Sequence, residues 1–309
     1  MIEISIVVPV YNESENIKPF IERTCKVLDK INKDYEIIFC LDPSSDNTEN
    51  VILEEISRNK KIKLMVFSRK FGQPISTIAG IENTNGKYCV VIDVDLQDPP
   101  ELIEDMYKKI TDENLDVVYA VRKSREGETF IKKMISKFAY KIINYFSDIN
   151  IPVDTGDFRI FSNKIVNELK KFNEKEAFLR GLVAYVGFKQ DKILFDRKER
   201  SHGKSKYNKF TGSFKIGING IVGFSSKPLF LMAILGFTIS FLSFILGFWY
   251  FLQKIIGINL TPGLTTTVIL ISFYSGLQLF GMGMLGEYIG RIYDEVKKRP
   301  RYIIDKKIN

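Results

Sequence analysis

The stretch Glu3-Ile4-Ser5-Ile6-Val7-Val8-Pro9-Val10, EISIVVPV, decides the fold. It is an almost unbroken run of β-branched and apolar residues where a half-exposed strand would alternate. That predicts a strand covered on both faces. The pattern returns in YEIIFCL (35–41), IKLMVF (62–67), KYCVVID (87–93) and LDVVYAV (115–121). Helical segments lie between these runs, one of them opening at Asp46-Asn47-Thr48-Glu49 in the manner of a capping box. Strands alternating with helices predict an α/β fold with a doubly wound, mostly parallel sheet and right-handed crossovers. Such sheets bind ligands beyond the C-terminal ends of their strands.

The chain places polar groups at those ends. Pro9-Val10-Tyr11-Asn12-Glu13 follows the first run, Asp42-Pro43-Ser44-Ser45-Asp46 the second, and Ser68-Arg69-Lys70-Phe71-Gly72 the third. The fourth runs into Asp93-Val94-Asp95-Leu96-Gln97-Asp98-Pro99-Pro100, and the fifth ends at Arg122. Any one of these is ordinary loop chemistry; five on one rim make a site. In an extended segment Asp93 and Asp95 project to the same side. Two carboxylates that close repel unless a cation joins them or one takes a proton. Hard oxygen donors on a rim suit Mg²⁺ or Mn²⁺, completed by water and a ligand's phosphates. A solvated acidic turn is the plainer alternative, and for Asp98 it is preferred, as the cap of a helix starting at Pro99.

The 309 residues carry a formal charge of +8, and a mean hydropathy of −0.03 conceals a sharp split. Pro228 to Gln253, PLFLMAILGFTISFLSFILGFWYFLQ, holds no acidic or basic residue. As a helix it would extend about 39 Å, enough for a hydrocarbon core of about 30 Å. A second uncharged run follows from about Leu264 to Gly286, predicting a transmembrane hairpin with spans near 229–252 and 264–286. Lys204, Lys206, Lys209, Lys215 and Lys227 precede it, and Arg291, Lys297, Lys298, Arg299 and Arg301 follow it. Between the spans stands only Lys254. The positive-inside rule then places a multi-pass protein in the cell membrane with both termini cytoplasmic. Met1 leads straight into a strand, so no cleaved signal peptide is expected.

Four regions are expected: a cytoplasmic α/β domain at 1–207, a juxtamembrane amphipathic helix at 208–227, the hairpin at 228–287 and a basic cytoplasmic tail at 288–309. Phe130 to Phe146 mixes apolar residues with lysines and suits docking on anionic lipid or packing on the core. Cys25, Cys40 and Cys89 lack metal spacing, and His202 is the only histidine, which leaves no His-based triad or multi-His metal site. Gly281, Gly283, Gly286 and Gly290 would allow close helix packing between subunits, making a homo-oligomer plausible. A nucleic-acid partner is not expected.

PVYNE, the D-x-S-x-D-x-T of Asp42 to Thr48, SRKFGQ and DVDLQDPP together resemble family 2 glycosyltransferases of the GT-A fold. More narrowly, they resemble polyprenyl-phosphate glycosyltransferases, including dolichyl-phosphate mannose synthases and their bacterial undecaprenyl-phosphate relatives. The resemblance continues in order through DTGDFRIF (154–161), FLRGLVAYVGF (178–188), RSHGKSKY (200–207) and GEYIGRIYDEVKKRPRYI (286–303). It implies that Pro9, Tyr11, Glu13 and Asp42 hold the base and ribose of a nucleotide sugar. Asp93 and Asp95, aided by Gln97, would hold a metal bridging the donor diphosphate, and Asp157 would sit beside the sugar and acceptor. Arg122, Arg200, Ser205, Lys206 and Tyr207 suit a lipid phosphate or the leaving diphosphate. Arg159 is either another phosphate ligand or an ion-pair partner of Asp157. One departure stands in the second loop, where Leu41-Asp42-Pro43 replaces the usual two acids and glycine; Pro43 also has no N–H to offer.

The implied activity is inverting transfer of a hexose from a nucleotide diphosphate sugar, UDP-glucose favoured, to undecaprenyl phosphate in the bilayer. UDP-N-acetylglucosamine, GDP-mannose and a UDP-aminopentose are the alternative donors. A phosphate monoester has its second pKa near 6, so such an acceptor hardly needs a base. Asp157 is then first a positioning group. A processive polysaccharide synthase would need a Gln-x-x-Arg-Trp motif, but Trp249, the only tryptophan, lies in the first apolar run. A non-catalytic membrane-anchored nucleotide-sugar binder is the rival of another class.

Overall fold

The computed structural model describes residues 2–122, 155–175, 178–196, 222–223, 225–256 and 263–309. The first half alternates as expected: β1 (Ile4–Val10), α1 (Ser14–Ile31), β2 (Tyr35–Leu41), α2 (Thr48–Arg58), β3 (Ile62–Phe67) and α3 (Gln73–Glu82). Then come β4 (Tyr88–Val91), α4 (Leu102–Asp112), β5 (Val117–Arg122), β6 (Thr155–Ser162), α5 (Asn163–Leu169), α6 (Leu179–Val186) and β7 (Gln190–Phe195). Two long helices, α7 (Lys227–Ile255) and α8 (Leu264–Val296), precede a last strand, β8 (Ile304–Ile308).

Among the described residues the strands form one sheet in the order β7-β5-β6-β4-β1-β2-β3-β8. β1 pairs in parallel with β2 and β4, and every one of its residues is buried, as its unalternating sequence requires. Its side chains divide between two covers. Ile4, Ile6 and Val8 join Phe20, Ile17 and Leu28 of α1 and Ile103 and Met106 of α4 in one core. Val7, facing the other way, meets α3. There Gly80 approaches so closely that a Cβ would stand 2.3 Å from Val7 Cγ1 and 2.7 Å from Cys40 Sγ. Gly80→Ala is therefore expected to overpack the layer by about 1–3 kcal/mol, outweighing the helix propensity gained. The midpoint of thermal unfolding should fall by about 2–10 °C. An unchanged or raised midpoint would show that the helix can lift off without cost.

Three strands were not foreseen, and one of them, β7, pairs in parallel with β5 at one edge of the sheet. β6 enters antiparallel between β4 and β5, so its first residues, from Thr155, lie at the same rim as the ends of the parallel strands. β8 lies antiparallel on β3 at the sheet's other edge. Residues 288–309 are thus more than a basic tail: α8 continues to Val296, and the chain then returns to the sheet. Tyr302 donates to Glu82 at 2.6 Å and packs edge-on against Phe67, and Arg301 pairs with Glu82.

Three local expectations need correction. β4 stops at Val91, two residues short of Asp93. Asp98 does not cap a helix: α4 begins at Leu102, with Glu101 at the cap position and no side-chain bond there. α2 does start at Thr48, but Asn47 makes no capping bond; Asp46, one residue earlier, accepts the Thr48 N–H at 3.1 Å.

The described residues up to 196 and Pro300–Asn309 form one compact unit, and those from 222 to Arg299 another. In the second, α7 and α8 are long and apolar enough to cross a membrane, with mean hydropathy 2.5 over Lys227–Trp249 and 1.4 over Ile269–Val296. Phe237 and Phe244 are 74% and 72% exposed, a surface out of place in water. The two helices meet through Ser243 and Tyr274, whose hydroxyls lie 3.0 Å apart, and a Cβ on Gly281 would stand 3.1 Å from Met232 Cε. Gly281 therefore faces the other helix of its own hairpin. Among the described residues nothing lies within 4 Å of a Cβ built on Gly283, Gly286 or Gly290.

Candidate active site

The loops leaving β1 and β2 are tied together by hydrogen bonds. Asn12, in the left-handed region at φ 51°, donates its N–H to Ser44 Oγ at 2.9 Å and accepts from the Ser45 N–H at 2.7 Å. Glu13 N donates to Thr48 Oγ1 at 2.9 Å, and Ser14 N to Asp46 Oδ2 at 3.2 Å. Burial would raise the Asp46 carboxyl, but the Thr48 hydroxyl and the Ser14 and Thr48 amides hold it below the usual range. Tyr11 follows at the strand's end, with Lys70 Nζ 3.5 Å from its ring centroid. Glu13 also accepts from Asn16 Nδ2 at 2.6 Å. Pro9 is buried within β1 opposite Cys40, so it can shape a nucleotide pocket only from beneath.

Asp42 is buried, and both its oxygens serve the third loop: Phe71 N donates to Oδ1 at 3.0 Å and Gly72 N to Oδ2 at 2.9 Å. Gly72 has φ 90° and ψ 156°, a conformation essentially confined to glycine. A Cβ there would meet nothing within 4 Å, so the backbone conformation, not space, demands glycine. Gln73 then opens α3 and donates its side-chain N–H to Asp93 Oδ1 at 2.7 Å.

Beyond β4 the chain turns. Leu96 adopts φ 58°, an unusual conformation for a bulky residue, and the Gln97 N–H bonds back to Asp95 Oδ1 at 3.1 Å. Extended geometry therefore does not align the acids. Burial still alternates: Ile92, Val94, Leu96 and Asp98 are buried, while Asp93, Asp95 and Gln97 are each part-exposed. The three predicted metal-site residues are the ones that reach solvent, and Asp98 does not.

Asp157 stands near the start of β6. Val91 pairs with Arg159, the last pair of that ladder, so Asp157 stands beyond it toward the rim. Arg180 Nε of α6 donates to Asp157 Oδ1 at 2.9 Å, and both side chains are largely shielded from solvent, at 21% and 30% exposure. Burial would raise the Asp157 carboxyl; Arg180, then Arg159 and Arg122, reverse this and hold it below the usual carboxylate range. Arg159 is itself buried, donates to Gly156 O at 2.7 Å, and has its pKa lowered to about 10, chiefly by burial. It is a support rather than an open phosphate ligand. Arg122 Nη2 and Asp98 Oδ2 flank Gly156, 3.7 and 3.9 Å from where its Cβ would stand.

The rim thus gathers Tyr11, Glu13, Asp93, Asp95, Gln97, Arg122 and Asp157 on neighbouring strand ends. Arg200, Ser205, Lys206 and Tyr207 lie outside the described residues, as do the 130–146 segment and residues 208–221. Gln73 and Arg180 were missed, although the stretches SRKFGQ and FLRGL had been singled out. Among the described residues no group of three or more His, Cys, Asp or Glu could hold a metal by itself. A part-exposed pair of carboxylates fits Mg²⁺ or Mn²⁺ only with water and a diphosphate completing the shell, as those ions prefer. Donor chemistry and exposure fit that arrangement.

Comparison with known proteins supplies an independent view. The family model described as glycosyl transferase family 2 matches residues 5–170. Glycosyltransferase YkcC of Bacillus subtilis is 42% identical over 99% of this chain and 94% of its own length. Glycosyltransferase sll0501 of Synechocystis is 41% identical over 98% and 95%. The prophage bactoprenol glucosyl transferase homolog of Escherichia coli K12 is 35% identical over 98% and 99%.

Proposed function

The chain belongs to glycosyl transferase family 2, and from that premise we propose that it transfers a hexose, UDP-glucose being the favoured donor, to a polyprenyl phosphate with inversion. Membership makes it a glycosyltransferase with a GT-A-type sheet rather than a non-catalytic binder. The observation that supports the finer reading is the partial exposure of Asp93, Asp95 and Gln97 beyond the end of β4, on the rim where β6 brings in Asp157, its carboxyl held low among guanidinium groups. The name of the 35%-identical bactoprenol glucosyl transferase homolog, matched almost end to end, supports a polyprenol-linked acceptor and glucose.

In this proposal Tyr11 and Glu13 bound the nucleoside, with Pro9 beneath them and Asp42 shaping the adjoining loop. Asp93, Asp95 and Gln97 hold Mg²⁺ or Mn²⁺, which when bound neutralises charge on the donor diphosphate. An oxygen of the acceptor phosphate attacks the anomeric carbon. The bond from that carbon to the diphosphate breaks, and the nucleoside diphosphate leaves with the electron pair. The acceptor, already anionic, requires no proton removal. Asp157, held ionised by Arg180, orients the sugar, and its low pKa makes it a poor proton acceptor. Arg122, with Arg200, Ser205, Lys206 and Tyr207, meets the phosphates.

The substrate lipid places the enzyme at a membrane, and α7 and α8 supply two spans. The pairing of β8 with β3 after those spans supports an even number of crossings, with the C-terminal strand on the same side as the sheet. The basic flanks put that side in the cytoplasm. A second copy of the chain could pack against α8 at Gly283, Gly286 and Gly290.

The test is full-length protein in lipid nanodiscs with undecaprenyl phosphate and labelled UDP-glucose, UDP-N-acetylglucosamine, GDP-mannose or a UDP-aminopentose. A labelled glycolipid from UDP-glucose, lost on chelation and restored by Mg²⁺ or Mn²⁺, is the expected result. Product from another donor alone would move the sugar assignment, and no glycolipid from any donor would overturn the acceptor.

A further inference from the structure

Three consecutive hydrogen bonds link the end of β2 to the acidic turn after β4. Asp42 Oδ1 and Oδ2 accept from the Phe71 and Gly72 amides at 3.0 and 2.9 Å, and Gln73, the next residue, donates to Asp93 Oδ1 at 2.7 Å. The connection has little freedom to slip. Asp42 is 2% exposed at the end of a central strand, and Gly72 is fixed in its glycine-only conformation. Gly72 O in turn accepts from Ser76 N and from Ser76 Oγ, both at 3.1 Å, which ties the loop to the first turn of α3.

We propose that Gln73 is a positioning residue for Asp93, and that Asp42 acts through it by clamping the two residues that precede it. Asp93 has rotamers to choose from at a rim open to water, and the Gln73 amide selects one of them. A side-chain amide can do this without competing for the site, because its N–H uses one lone pair of a carboxylate that has about four acceptor sites, and it brings no charge to rival a cation. Groups that orient a metal-binding carboxylate in this way typically change metal affinity by about 10–100-fold when removed. The proposal rests on the reading that Asp93 binds the donor's metal. It adds a physical link between the loop beside the nucleoside pocket and the metal–diphosphate subsite.

The experiment titrates Mn²⁺ into full-length protein in detergent with saturating UDP, following free Mn²⁺ by electron paramagnetic resonance. Gln73 is exposed, so its replacement should leave the fold intact. Gln73→Met keeps the side chain's length and removes the amide that donates to Asp93. It is expected to raise the Mn²⁺ dissociation constant about 10–100-fold, as much as Gln73→Ala, without moving the thermal midpoint. Rescue by methionine would mean that Gln73 only packs, and would overturn the proposal. Asp42→Asn should weaken Mn²⁺ in the same direction. Combined with Gln73→Met it should weaken Mn²⁺ little further, because the two act in series. Full additivity would remove Asp42 from the relay. Asp93→Ala separates the premise from the proposal. If Asp93→Ala abolishes Mn²⁺ binding and Gln73→Met does not alter it, only the positioning role falls. If Asp93→Ala binds Mn²⁺ normally, the underlying site assignment falls.

Discussion

Asp95→Ala is expected to lower turnover by about a thousandfold or more while leaving the protein folded. Charge stabilisation by a bound metal is worth several kcal/mol, and each 1.36 kcal/mol is a factor of ten in rate. Alanine also removes the acceptor for the Gln97 N–H, so the turn that carries Asp93, Asp95 and Gln97 would lose its internal bond. That bond is modest, about 1 kcal/mol, and Asp95 is part-exposed, so a melt should move by only a few degrees.

Two comparisons make the expectation specific. Chelation should bring the wild-type enzyme down to the level of Asp95→Ala, and the variant should not respond to chelation. Ser44→Ala, in the neighbouring loop, removes the acceptor of the Asn12 N–H without touching the acidic turn, and should cost far less. Glycolipid formation from labelled donor measures all of these. An Asp95→Ala enzyme that still turns over in the presence of chelator would rule out the metal role.

The parallel core was legible because fully buried strands write themselves as unbroken apolar runs; EISIVVPV, YEIIFCL and IKLMVF end within a residue of the observed strands. β6 was not, since its sequence, TGDFRIFS, alternates small, charged and aromatic residues, and its neighbours are set by long-range pairing. β8, IDKKI, has only its two ends part-buried, so nothing local distinguishes it from a charged tail. The same limit applies to the site. Asp93 and Asp95 stood out because adjacent acids need a reason. Gln73 and Arg180 did not, because their roles exist only through contacts with Asp93, twenty residues on, and Asp157, on another element. Asp98 was misassigned through a local rule: acid followed by proline suggests a helix start, yet the helix begins at Leu102 and the acid is buried beside Gly156.

Arg180→Met is expected to reduce turnover about 100-fold at neutral pH and to give the enzyme an acidic limb that the wild type lacks. The loss follows from geometry, since a misplaced group near the reacting atoms can cost about that much. The pH dependence follows from electrostatics. Asp157 is bounded by Arg180 from α6, Arg159 on its own strand, and Arg122 from β5, which also contributes Tyr119 against Arg159. Burial pushes its carboxyl up and the three guanidiniums push it down, so removing the nearest should raise its pKa. Wild-type Asp157 stays ionised through the whole range from pH 5 to 8; in the variant it should begin to take up a proton as pH falls. The acceptor phosphate titrates near pH 6 in both enzymes, so the informative quantity is the difference between the two profiles at saturating acceptor. Adding Asp157→Asn to Arg180→Met should abolish that difference. Stability should follow the same sign. A carboxyl with a depressed folded pKa contributes stability above its unfolded pKa and loses it as pH falls through the folded value. The gap in thermal midpoint between wild type and Arg180→Met should therefore narrow as pH falls. If the profiles superimpose and the gap stays constant, Arg180 is a packing residue and something else keeps Asp157 ionised.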